Sequence, residues 1–152
     1  MTMPDPSYRI AISRQVACKP AQAYAVVEDL ERFPEFMPNV EAIRIISDDG
    51  RRKVAHWDTI IDGAPLDWVE EGIYERDELR VRFKALEGVF DRFDGFWQVK
   101  SVDGDSEVIF ELEYSIGLPE IDEIIGPILR ERLIDNTEAM LEALEGRILS
   151  DA

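Results

Sequence analysis

The chain reads as an α+β protein, a curved antiparallel sheet of about seven strands wrapped around one long C-terminal helix, with two short helices after the first strand. Three observations predict this. From Pro127 to Ile148, Leu129, Leu133, Met140, Leu144 and Ile148 recur at helical spacing, and Asn136 falls on the same stripe. Between Glu41 and Ile116, alternating apolar segments are separated only by short turns, so consecutive strands should be neighbours in one meander. The helical segments lie at the two ends of the chain. A helix of about 22 residues is about 33 Å long, enough to cross a small domain. Held in a sheet lined with Trp, Phe and Tyr, it encloses a hollow as easily as it fills a core.

Each element follows from local chemistry. Ser7 to Val16 alternates, with Tyr8, Ile10 and Ile12 on one face. Pro20 suits a first helical turn, and Ala21 to Leu30 is helical in composition. A second short helix runs from Glu31 to Phe36, interrupted at Pro34 and closed by Pro38. Glu41 to Ser47 is a strand, and Asp48-Asp49-Gly50 a hairpin turn. Strands follow over Arg51–Ile61, Pro65–Tyr74, Leu79–Leu86, Val89–Val102 and Glu107–Ile116. Breaks fall at Asp62-Gly63, Glu75-Arg76-Asp77, Glu87-Gly88, Asp103-Gly104-Asp105 and Gly117-Leu118-Pro119.

Parity then sorts the strand residues by face. The inward sets are Ala55, Trp57, Thr59 and Ile61; Leu66, Trp68, Glu70, Gly72 and Tyr74; Val81, Phe83 and Ala85; Phe93, Gly95, Trp97 and Val99, with Asp91 at the edge of this set; and Val108, Phe110, Leu112, Tyr114 and Ile116. The polar intruders are Thr59, Glu70, Tyr74, Asp91, Tyr114 and, from the helix, Asn136. Glu70 is the sharpest of them, because carboxylates are almost never buried unpaired. Either the parity slips at a bulge or a wet rim, or a carboxylate stands in an apolar pocket with its pKa raised towards acid–base use. Trp57, Trp68 and Trp97 are either ordinary wall residues or a stacking surface for a flat, conjugated ligand.

Composition narrows the function. With 33 acidic and 17 basic residues the formal charge is −16, which disfavours nucleic acid as a partner. Bases cluster at Arg51, Arg52 and Lys53, and at Arg130 and Arg132, either as solvated charge or as docking points for an acidic partner. No apolar run suggests membrane insertion or secretion, and the single Cys18 suits a reducing cytosol, so a cytoplasmic protein is expected. The one histidine, His56, faces outward by parity, which disfavours a histidine triad. Ligand spacing for a metal and a phosphate-binding glycine loop are both missing, so neither a metal nor another cofactor is expected.

The order of elements resembles the helix-grip fold of the START-like superfamily over essentially the whole chain, 1–152, as one domain. Short stretches resemble the polyketide cyclase/dehydrase (aromatase/cyclase) group within it: Lys19-Pro20-Ala21, Glu31-Arg32-Phe33-Pro34-Glu35-Phe36-Met37-Pro38, Trp68-Val69-Glu70, Leu86-Glu87-Gly88-Val89-Phe90, the Trp97 strand, and Asn136-Thr137 with Met140. Coenzyme Q-binding START-like proteins share the Phe33 to Pro38 pattern and the Glu87 to Phe90 region. Aromatase/cyclases carry Trp, a small hydroxyl residue and Arg along the inner face of the pocket strand. Here Trp68 matches the Trp, while Glu70 and Gly72 stand at the other two places. Phe33 matches the aromatic of the first motif, and Val40 stands near a usual phenol.

The resemblance implies an enzyme that folds and cyclises a poly-β-ketone in the hollow, or a non-catalytic carrier of a quinone, isoprenoid or lipid. The expected partners are a hydrophobic small molecule, polyketide or quinone, and an acyl carrier protein, with the chain a monomer or homodimer. Glu70 is the candidate base and Asp91 the second; Tyr74, Tyr114 and Asn136 are candidate oxyanion donors. The expected ligand-contacting residues are Phe33, Phe36, Met37, Trp57, Thr59, Trp68, Phe83, Phe93, Trp97, Phe110, Leu133 and Met140.

Overall fold

The computed structural model describes residues 8–61 and 63–151. Their order is β1 (Tyr8–Val16), α1 (Pro20–Val27), a 3-10 turn (Leu30–Arg32), α2 (Phe33–Phe36), β2 (Val40–Asp48), β3 (Arg52–Ile61), β4 (Ala64–Glu75), a 3-10 turn (Arg76–Glu78), β5 (Arg80–Gly88), β6 (Arg92–Val102), β7 (Asp105–Ser115) and α3 (Pro119–Asp151). The seven strands form one sheet in the order β1-β7-β6-β5-β4-β3-β2, antiparallel at every pairing. This is the helix-grip α+β architecture. β2 to β7 form the expected meander, and the chain's first strand closes on its last.

The hairpin from β2 to β3 turns as its residues dictate. Asp49 Oδ1 accepts from the backbone N–H groups of Arg51 and Arg52, and Asp48 Oδ1 from that of Gly50. These are Asx-type bonds, which tie a carboxylate to the backbone two or three residues on. The inner face follows parity: Ala55, Trp57, Thr59, Ile61, Trp68, Glu70 and Tyr74 are all buried, while Asp58 is exposed.

The terminal helix departs from expectation. It begins at Pro119, eight residues before Pro127, and runs 33 residues, about 50 Å. Gly126-Pro127 reads as a stop and a start, yet the helix passes through. Its first turn is pinned from outside. The buried Asp122 carboxylate accepts the backbone N–H groups of Ile116 and Gly117, at 2.7 and 3.1 Å. Tyr8 donates its hydroxyl to Asp122 O, and Tyr114 donates to Gly126 O. Gly126 is required by this approach, since a Cβ there would stand 2.1 Å from the Tyr8 ring. The buried stripe downstream is Leu133, Thr137, Leu141, Leu144 and Ile148, so Leu129 and Met140 sit at its margin.

β6 begins at Arg92 rather than Val89. Gly88, at φ 145°, turns the chain where its missing Cβ would strike Trp68 Cβ at 2.9 Å. Asp91 therefore lies exposed in the loop before β6, beside Gly117, and not on the inner face.

Candidate functional site

Between the concave face and α3 lies a cavity of about 50 Å³. Its walls carry Trp57, Thr59, Trp68, Glu70, Phe83, Phe93, Trp97, Phe110, Leu133, Asn136 and Met140, all expected from the sequence. Asn39, Val40, Ile61, Leu112 and Thr137 complete the lining. Trp57 and Trp68 are direct partners across β3 and β4 and stack at 5.8 Å and 10°. Phe83 stacks on Phe110 at 5.6 Å, and Trp97 meets Phe110 edge-on at 4.7 Å. Water takes about 30 Å³ in the liquid, and pockets for drug-sized ligands run to about 300–1,000 Å³. The grip is thus closed on its own side chains, and a ring-sized ligand has to part them.

Glu70 stands in the middle of this wall. Register places it opposite Ala55 on β3 and Ala85 on β5, two small neighbours that leave room for its side chain. A bulge in β5 interrupts the pairing beside it, with Val69 facing Glu87 and Glu70 facing Ala85. Leu86 is the extra residue and is turned out to solvent. Bulges of this kind re-aim side chains. Trp68 Nε1 donates to Glu70 Oε1 at 3.1 Å. Burial pushes the Glu70 carboxyl up to about 8, and the indole N–H offsets this only in part. At neutral pH the group is therefore mostly protonated, within reach of both forms.

The other polar groups fall into two sets. Asn136 lines the cavity, accepts from the Asn39 side-chain amide and donates to Met140 Sδ at 3.3 Å. A thioether is a weak acceptor, so this N–H can turn to a better one. Thr59 lines the cavity but commits its hydroxyl to Leu66 O at 2.7 Å. Tyr114 does not line it, because its hydroxyl is tied to Gly126 O at 3.1 Å. Tyr74 lies behind Glu70 in a second, smaller cavity and not among the ligand-facing walls. Asp91 is outside altogether.

A model of the family described as "polyketide cyclase / dehydrase and lipid transport" matches residues 16–141. The chain belongs to that family. Among curated proteins no relative matches. Of solved structures, TTHA0849 from Thermus thermophilus is 26% identical, covers 95% of this chain and 99% of its own, and superposes with a TM-score of 0.88. The Zhui aromatase/cyclase from Streptomyces sp. R1128 is 16% identical over 93% of both chains, with a TM-score of 0.81. A START superfamily protein from Mycobacterium smegmatis is 20% identical over 95% of this chain and 99% of its own, with a TM-score of 0.82. The last two show the shared fold.

In this family member the Phe33–Met37 stretch stands behind the wall and does not line the cavity. Phe33 is buried and meets Trp57 edge-on at 6.0 Å. Phe36 sits under the Arg147 guanidinium in an outer groove, and Met37, the C-terminal cap of α2, is buried. Asn39 is a cavity residue that sequence reading missed. It precedes β2, outside any periodic segment, and only the Asn136 amide it meets across the grip could have signalled it. Strand pairing also assembles a trio that linear spacing hid. Asp58 faces Asp67 across β3 and β4, and His56 lies beside both, Nε2 2.9 Å from Asp67 and Nδ1 3.6 Å from Asp58. These are the residues, among those described, that could hold a cation, and they sit on the sheet's outer face, away from the cavity. No described helix is long and apolar enough to cross a membrane.

Proposed function

We propose that this protein is an aromatase/cyclase-like enzyme that folds and cyclises a poly-β-ketone inside the grip, with Glu70 as its acid–base group. The observation that supports this best is a lone carboxyl at the centre of an aromatic wall, poised near neutrality by burial. Cyclisation needs a bent chain, a base for an acidic α-proton and a donor at the developing oxyanion. The Trp57–Trp68 stack and Phe83, Phe93, Trp97 and Phe110 supply the bend by orientation. The Glu70 carboxylate takes the α-proton, and the enolate carbon attacks a carbonyl of the same chain. The amide N–H of Asn136, whose side chain is held by Asn39, donates to the resulting alkoxide. Glu70, now the acid, gives that proton to the alkoxide. In dehydration the regenerated carboxylate takes the second α-proton and its acid form passes it to the departing hydroxyl, so that water leaves and the ring aromatises.

Carriage of a hydrophobic metabolite is the second reading, favoured by the lipid-transport part of the family description and by walls that are predominantly apolar. Glu70→Gln separates the two. It keeps size and most hydrogen bonding but removes proton transfer. For the enzyme, cyclised product from a reconstituted synthase falls about 10²–10⁴-fold while ligand affinity holds. For a carrier, affinity stays equal or improves and product formation does not change, which would sink the acid–base proposal.

A further inference from the structure

Glu70 touches two cavities. The front one is the ligand site. The rear one, about 20 Å³, is lined by Lys53, Ala55, Glu70, Gly72 and Tyr74 among others. One water needs about 10–15 Å³ of such room. Gly72 makes the space: on β4, between Glu70 and Tyr74, it carries no side chain, and a Cβ there would press on the Tyr74 ring at 3.3 Å, with the hydroxyl at 3.5 Å. Tyr74 is shared in turn with an open groove of about 460 Å³ lined by Arg51, Glu75, Arg76, Asp77 and Glu78. Lys53 and Arg76 lie over its ring at 5.0 and 5.6 Å, at the rim. Front cavity, Glu70, rear cavity, Tyr74 and groove thus share lining residues in series, with the buried Tyr74 as the link between rear cavity and groove.

We propose that this series is a proton route between Glu70 and bulk solvent, separate from the front cavity. It rests on Glu70 being the base. The mechanism starts from the carboxylate, and a ligand seated in the front cavity covers the group from that side, so a Glu70 that meets its ligand in the acid form has to lose that proton another way. The steps balance. Glu70 O–H gives its proton to a rear water. That water passes one to the Tyr74 oxygen, which releases its own proton to the groove, and the reverse sequence returns one. Tyr74 is a relay here, not a group that touches substrate.

The test uses benzoylacetone, a planar β-diketone with an acidic central methylene, and follows its protein-catalysed exchange of hydrogen for deuterium in D2O by mass spectrometry. Glu70→Gln should abolish catalysed exchange. Tyr74→Phe, which keeps the ring, and Gly72→Ala, which fills the rear cavity, should each slow it by about tenfold with benzoylacetone affinity by tryptophan fluorescence unchanged. Added imidazole, a small diffusible acid–base pair, should restore exchange in Tyr74→Phe. Wild-type exchange rates in both rear variants would overturn the route and leave Glu70 as base, its proton leaving through the front cavity. Slow exchange in Tyr74→Phe that imidazole does not restore would also overturn it, marking the loss as structural. Glu70→Gln protein exchanging as fast as wild type would remove the base itself, and the route with it.

Discussion

Glu70 is buried with no ionic partner among the described residues, and burial carries a measurable cost that depends on pH. Its folded pKa, about 8, lies above the ordinary value of 4.5. Below about pH 4.5 the carboxyl is protonated in folded and unfolded chains alike. As pH rises towards 8 the unfolded chain releases its proton and the folded one holds it, so stability falls across that window and is level above it. The full span corresponds to on the order of 5 kcal/mol at about 1.36 kcal/mol per pH unit. Glu70→Gln should therefore match wild type near pH 4.5 and exceed it increasingly up to pH 8. Urea unfolding of both proteins at a series of pH values measures the difference, from which every other titrating group cancels. Parallel curves would mean that the carboxyl is solvated. The neighbouring aromatics set a second expectation. A quinone or planar polyphenol in the cavity should quench tryptophan fluorescence, and Trp68→Phe with Trp97→Phe should remove most of that response.

At the scale of elements, strand parity was legible in the sequence because alternation has a fixed period and one face of each strand is buried. It placed Trp57, Trp68, Glu70, Phe83, Trp97 and Phe110 on the correct side. What parity could not show were departures made by the backbone or by distant partners. Gly88 turns the chain and removes Asp91 from the face. Tyr114 points inward as expected, but its hydroxyl is claimed by a helix carbonyl twelve residues on. The start of α3 was misread because Gly126-Pro127 is locally a boundary signal, while the contacts that override it come from Tyr8, 118 positions earlier than Gly126. This last point is testable. In an ordinary helix Gly→Ala stabilises by roughly 1 kcal/mol. At Gly126 the new methyl would meet the Tyr8 ring, and overpacking of this kind costs about 1–3 kcal/mol. Gly126→Ala should therefore destabilise the protein in urea, and Gly126→Ala in a Tyr8→Ala background should lose that penalty. A stabilising Gly126→Ala in the wild-type background would mean that α3 does not lie against β1 there.

For the whole molecule, charge sets the outer conditions for what the grip does. The 33 acids exceed the 17 bases by 16. Many bases are already paired at the surface, as in Arg9–Glu111, Arg14–Glu145, Arg76–Glu28 and the contacts of Arg80 and Arg82 with Glu75. Exposed pairs of this kind contribute about 0–1 kcal/mol each, and the unpaired excess repels itself over distances set by the Debye length, about 10 Å at 0.1 M salt and about 3 Å at 1 M. Two opposite trends therefore compete. If the ion pairs governed stability, added salt would weaken the fold. Because the charge imbalance is large, repulsion should prevail, and the urea midpoint should rise as sodium chloride goes from about 0.02 M to about 0.5 M, where the Debye length has shortened severalfold. Urea is the suitable denaturant, since guanidinium is itself a salt. The same field bears on partners: an acidic carrier protein would have to approach a surface of like charge, so any docking should tighten, not loosen, as salt is added, unless it is confined to a basic cluster such as Arg51, Arg52 and Lys53. A urea midpoint that falls with salt would show that the paired arginines outweigh the net charge.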